Sequence, residues 1–179
     1  MRNVGMRGVL AESSLITLAE RVAAGCAAPM DALADAVLAG LSASTADSEL
    51  LSTEQKRGLP DAYARHLLYA DPDGRFSIVS IVWRPGQCTT IHGHYTWCGY
   101  AVVAGSLHEQ TYARMHELRG VRPSGCGDRS AGHACFAHAG IEEAHRLGNR
   151  SNADAVSVHV YGVDGPRVGT RVNRVVDAI

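Results

Sequence analysis

The sequence lacks the features that would place it in several large classes. Neither charge is in excess: 17 Lys and Arg face 18 Asp and Glu, for a formal net charge of −1. No strongly basic face is announced, which argues against a nucleic-acid partner. No apolar run approaches the ~18 residues of a spanning helix, so no membrane span is expected. Residues 1–25 carry two early arginines, and Glu12, Ser13 and Ser14 interrupt the stretch that a signal peptide would keep apolar; the segment reads as mature cytoplasmic sequence. Five cysteines (Cys26, Cys88, Cys98, Cys126 and Cys135) stand at irregular spacings with no CxxC pair. The odd count argues against a disulfide framework, and the missing CxxC against structural zinc. Most of them are expected to be small buried apolar side chains. There is no low-complexity tract.

What is present reads as one domain, residues 1–179, in two unlike parts. Residues 1–68 form a helical lead-in. Leu15, Leu18, Ala19 and Val22 recur at helical spacing, as do Leu33, Val37, Leu38 and Leu41, with Pro29 and Gly40 as punctuation. Ser52 and Glu54 open a short third turn that Pro60 limits. Residues 63–69 read either as a last helical turn or as the strand that leads onward.

Residues 69–179 read as strands. Phe76, Ile78, Ser80 and Val82 alternate with Ser77, Val79 and Ile81, a strand buried on both faces. Similar runs cover 91–94, 97–103, 107–112, 133–137, 145–147, 155–161 and 170–176. Turn signals fall at 71–74, 85–86, 104–105, 123–127 and 148–152. Many short strands with Gly and Pro turns imply a mainly β sandwich or barrel behind a helical segment.

His92 and His94 are one residue apart in a strand, so both imidazoles point the same way. His145, far along the chain, lies in another strand that a closed barrel can bring to them. His66, His108, His116, His133 and His138 read as ordinary core or surface residues. The frame around the pair is more telling. Gly86, five residues, His92-Gly93-His94, three residues, Cys98, six residues, Gly105 resembles the first motif of the cupin superfamily, with Cys98 at the usual glutamate position. His145 followed by Asn149 resembles the end of the second motif, although His138 and Gly140 stand upstream for the usual Pro and Gly and the gap to His145 is longer. The resemblance implies a jelly-roll-like cupin β-barrel holding one metal on His92, His94 and His145. Three neutral ligands leave about three open positions on an octahedral ion; imidazole alone does not choose the metal.

From about Tyr63 to Gly162 the residues resemble the cysteine dioxygenase-type thiol dioxygenases. The stretch from Arg75 to Trp83 followed by Pro85-Gly86-Gln87 is similar to that family's core strand and turn, and His92, His94 and His145 match its iron(II) ligands. The resemblance implies catalytic roles for Tyr161, His159, Ser157 and Cys98: Cys98 matches a cysteine that in many members forms a thioether with the tyrosine at Tyr161, while His159 and Ser157 orient that tyrosine. In a strand the three polar residues of Ser157-Val158-His159-Val160-Tyr161 share one face; the plainer alternative turns that face to water. Arg65, supported by Tyr63, matches the arginine that binds the substrate carboxylate, a bidentate fit. Gly93 replaces a common aspartate. Thr96-Trp97 and Gly162 look more like the branch that prefers 3-mercaptopropionate, and Arg167 or Arg171 offers a second carboxylate anchor. Arg114, Arg119, Arg122 and Arg129 read as solvated surface.

The implied function is a non-haem iron(II) dioxygenase that converts L-cysteine and O2 to cysteine sulfinate, acting in the cytoplasm as a monomer or small homo-oligomer. Its partners are a small thiol and O2, with no nucleic acid and no membrane. Alternatives are a dioxygenase for another small thiol such as 3-mercaptopropionate, a non-catalytic metal- or ligand-binding cupin, and another metal-dependent cupin enzyme.

Overall fold

The computed structural model of the chain describes residues 5–115 and 120–179; His116 and Arg119 lie outside them. Two helices come first, α1 (Gly5–Gly25) and α2 (Met30–Thr45). They bury the stripe that their spacing marked: Leu18 and Val22 from α1, and Leu33, Val37 and Leu41 from α2. The third segment is a single 3-10 turn, Glu54–Lys56, closed where Gln55 and Ser52 exchange side-chain and backbone hydrogen bonds at 2.9 and 3.3 Å.

Ten strands follow: β1 (Ala64–Ala70), β2 (Ser77–Trp83), β3 (His92–His94), β4 (Cys98–Ala104), β5 (Ser106–Met115), β6 (Gly120–Ser130), β7 (Ala134–Ala137), β8 (Gly140–Gly148), β9 (Ala155–Tyr161) and β10 (Asn173–Val175). They make two five-stranded antiparallel sheets, in the orders β1-β2-β9-β4-β7 and β10-β3-β8-β5-β6. This is the mainly β barrel with an N-terminal helical part that the sequence implies. The helices cover the outer face of the first sheet. There Phe76, Ile78 and Val82 of the β2 region and Val156, Val158 and Val160 of β9 join the helical Leu and Val residues in one apolar cluster. The opposite faces of the same strands, with Val79, Ile81, Trp83 and Tyr161, look into the barrel. Both faces of β2 and β9 are therefore buried, and the near-continuous apolar run of β2 is explained.

Three expectations are corrected. The helical lead-in ends before residue 68: of the two readings of 63–69 the strand holds, since β1 pairs with β2 from Ala64↔Val82 to Ala70↔Ser77, so the barrel begins inside the expected lead-in. Pro123 to Gly127 is not a turn but the interior of β6, the edge strand of its sheet. An edge tolerates Pro because the missing N–H faces no partner strand, and the pairing with β5 absorbs Pro123 through an irregularity at Thr111/Tyr112. The cysteines are mostly not buried. Cys88 and Cys126 are exposed, Cys26 and Cys135 are half-buried and Cys98 alone is buried; all five are free.

Candidate metal centre

The short strand β3 lies between β10 and β8. His92 and His94 leave its inner face together, and His92 sits directly opposite His145 on β8. The ring centroids are 4.8 to 5.2 Å apart. One ligand atom from each of the three lies within 4.8 Å of the others, and all three residues are buried. Cys98, at the glutamate position of the motif, is not in the group.

Hydrogen bonds fix which nitrogen faces the centre. His92 Nδ1 donates to the Thr90 carbonyl at 2.9 Å, and His145 Nδ1 to a Glu109 carboxylate oxygen at 2.7 Å. Neither partner donates, so Nδ1 carries the proton and Nε2 keeps its lone pair for a metal. Burial, with His145 close by, holds His92 down at about 4 and His94 at about 3, so both are neutral ligands at neutral pH. The donor set fits a divalent transition ion such as iron(II).

Glu109 and Arg129 are what sequence reasoning missed. Glu109 is buried on β5, between His145 and Arg129, whose Nε donates to its second oxygen at 2.8 Å. Burial alone would raise the Glu109 carboxyl, but the His145 and Arg129 hydrogen bonds hold it down at about 2. Arg129 is thus not the solvated surface residue expected of it, whereas Arg122 is exposed and Arg114 pairs with Glu142 at the surface. The available signal was Leu107, Glu109 and Thr111: a carboxylate at an alternating position beside an inward leucine.

The Ser157-His159-Tyr161 face points inward, not to water, and all three are nearly fully buried. Trp83 Nε1 donates to Ser157 Oγ at 2.9 Å, Ser157 meets His159 Nε2 at 2.8 Å, and Tyr161 meets His159 Nδ1 at 3.0 Å. Burial, and then the Arg65 charge, push His159 down, while burial pushes the Tyr161 phenol and the Cys98 thiol up, so all three are uncharged. Cys98 on β4 is the cross-strand partner of Tyr161.

A cavity of about 20 Å³ joins these parts; Tyr63, Arg65, the three histidines, Cys98, His159 and Tyr161 are among its lining. Arg65 reaches it from β1, its guanidinium 5.9 Å from the Tyr63 ring centroid. One of its nitrogens donates to the Val168 carbonyl at 3.4 Å, and its Nε is buried with no partner. Arg167 and Arg171 are exposed and line no part of this cavity, so they are not brought to the site. A side cavity of about 320 Å³ shares His94, Cys98 and His145 as its wall. A surface cleft of about 300 Å³ beside Cys88 and Arg146 includes none of the three histidines.

Two local departures from the usual motifs have structural causes. A Cβ on Gly93 would run into the Gly140 carbonyl and lie 2.8 Å from Ile141 Cα. Gly162 lies against the Trp97 indole, where a Cβ would collide, and its carbonyl accepts from Thr96 Oγ1 at 2.6 Å. Thr96-Trp97 and Gly162 therefore form one contact. Among the described residues no helix is long and apolar enough to cross a membrane.

The family model for cysteine dioxygenase type I matches residues 56–168, more than half of the chain. Among solved structures, the chain is similar to a conserved protein with a double-stranded β-helix domain from Klebsiella pneumoniae (16% identity, 67% of this chain and 88% of that one, TM-score 0.50). It is also similar to a Thermus thermophilus protein (19%, 63% and 95%, TM-score 0.49) and to a cupin 2 conserved barrel domain protein from Salinispora arenicola (15%, 66% and 90%, TM-score 0.46). At these identities the likeness concerns the fold, a cupin double-stranded β-helix preceded by two helices.

Proposed function

The chain belongs to the cysteine dioxygenase type I family, and from that premise we propose that it is a thiol dioxygenase which holds iron(II) on His92, His94 and His145 and converts L-cysteine and O2 to cysteine sulfinate. The observation that carries this reading is the ligand set: three converging imidazoles, two of them fixed to offer Nε2, with Cys98 where most cupins place a fourth, anionic ligand. When bound, the iron supplies the redox chemistry that brings dioxygen onto a thiolate. Both oxygen atoms end on sulfur, so no external reductant is needed.

The protein's part is positioning and proton placement. Arg65 takes the substrate carboxylate, and the Tyr63 ring beneath the guanidinium holds it toward the cavity. Trp83 can only donate, so it occupies a Ser157 lone pair. In the tautomer this role needs, Ser157 donates to His159 Nε2, His159 Nδ1–H donates to the Tyr161 oxygen, and the Tyr161 proton is left to point at the substrate. The cross-strand placement of Cys98 and Tyr161 supports a thioether between them. Its formation removes one hydrogen from sulfur and one from the ring, with dioxygen as oxidant, and intact mass would register the loss.

A second reading, 3-mercaptopropionate as substrate, is favoured by the Thr96-Trp97 contact with Gly162 that resembles that branch. A non-catalytic binding cupin would hold zinc or nickel and take up no oxygen with any thiol. Action in the cytoplasm, as a monomer or small homo-oligomer, rests on the sequence reading. The test is Arg65→Gln assayed with both thiols. Loss of one charge-assisted hydrogen-bond pair lowers kcat/KM for L-cysteine by roughly 10- to 100-fold; an unchanged value would remove Arg65 and favour another thiol.

A further inference from the structure

The cavity contains a polar group that nothing in the protein uses. Tyr100 stands on β4 two residues after Cys98 and shares its inward face. The residue is 2% exposed, and its hydroxyl is buried with no hydrogen-bond partner. Its ring stacks on His159 at 5.3 Å and 21°, and His159 in turn stacks on Tyr161 at 5.6 Å and 26°, so the imidazole is flanked by two tyrosines. The two are not equivalent: the Tyr161 hydroxyl is tied to His159, and the Tyr100 hydroxyl is tied to nothing. On the side away from His159 the cross-strand neighbour of Tyr100 is Cys135, whose thiol lies near enough to add to burial in pushing the phenol up but, as a weak sulfur partner outside hydrogen-bond geometry, leaves the hydroxyl unpaired. Burial keeps the phenol protonated, hence a donor.

The unpaired groups share one character. Apart from His94, two of the buried side-chain atoms that lack a partner belong to residues lining this cavity: Arg65 Nε and the Tyr100 hydroxyl. Both are donors, Arg65 because a guanidinium keeps its protons and Tyr100 because burial keeps the phenol protonated. The cavity therefore has a surplus of donors and calls for a ligand rich in acceptors. An unpaired buried hydroxyl costs stability unless a ligand satisfies it. Resting on the thiol reading above, we propose that Tyr100 is a substrate-binding residue whose hydroxyl donates to the thiolate sulfur of a small mercapto-carboxylate, while Arg65 takes the carboxylate. Tyr100 also lies in the wall shared with the side cavity, where a substrate that outgrows the inner space must press.

The test is Tyr100→Phe, which keeps the ring and its stacking and removes one oxygen. Cobalt(II)-loaded wild-type and variant protein are titrated without oxygen against L-cysteine and 3-mercaptopropionate, reading the cobalt–thiolate absorption. The dissociation constant is expected to rise roughly tenfold or more for both thiols, as for a hydrogen bond to a charged acceptor. Cobalt content should stay unchanged, and the Tm of the ligand-free protein unchanged or higher. Equal affinity in the two proteins overturns the role of Tyr100 and leaves the thiol reading standing. No thiol binding by the wild type overturns both. A lower Tm with loss of cobalt assigns the hydroxyl to the fold and overturns the proposal.

Discussion

Glu109 governs what His145 can do. Its carboxylate accepts from Nδ1 and so leaves Nε2 facing His92 and His94, and Arg129 holds the carboxylate in place from the other side. Carboxylate partners of this kind fix the imidazole's tautomer and raise its basicity. Glu109→Gln keeps the size and removes the charge, and it also leaves the Arg129 guanidinium without its ion pair. Metal affinity is expected to fall about 10- to 100-fold, measured by competition with a chromophoric chelator; an unchanged affinity would make the pair a matter of packing alone. At this scale the sequence was partly legible. The three histidines stand in a recognisable frame, and the Ser157-His159-Tyr161 alternation pointed to a shared face, although only burial on both sides of β9 decides that the face is internal. Glu109 and Arg129 are 20 residues apart on paired strands, and that meeting depends on a register which local residue chemistry does not set.

Between β3 and β8 the register slips. His92 faces His145, but His94 faces Gly140, so five steps along β8 match two along β3. The bulge this makes is where the lengthened gap before His145 goes. Its residues Glu142, Glu143 and Ala144 line the side cavity, so the extra length opens space next to the metal centre. Gly93 lies beneath this crossing, too close to Gly140 and Ile141 to carry a side chain. Gly93→Asp, which restores the more common motif, is expected to separate β3 from β8 and lower metal content and Tm together. Full metal occupancy at an unchanged Tm would show that the strands have room. The departure is visible in the sequence as a glycine, but its cause lies in a non-local approach. The same limit explains β6: Pro123-Ser124-Gly125 has local turn chemistry, and ten paired residues along β5 override it.

Across the whole molecule, the amphipathic helices and the alternation of β2 were enough to separate a covering layer from a barrel. Leu18, Leu33 and Val37 do bury against the outer face of the sheet that carries Tyr161 on its inner face. The closing of the second sheet was less legible. β10 is only Asn173–Val175, after a 3-10 turn at Gly165–Arg167, and it gains strand character by pairing with the histidine strand. The barrel thus brings Arg65 from its first strand, His159 and Tyr161 from its ninth and three imidazoles from β3 and β8 to one small cavity. The measurement that tests this assembly most directly is turnover of L-cysteine by the iron(II)-loaded protein under isotopically labelled dioxygen, with the product read by mass. Cysteine sulfinate carrying two labelled oxygens, lost in His145→Ala, is the expected result. No oxygen uptake with L-cysteine, 3-mercaptopropionate or any other small thiol, or a product whose oxygen comes from water, would contradict it.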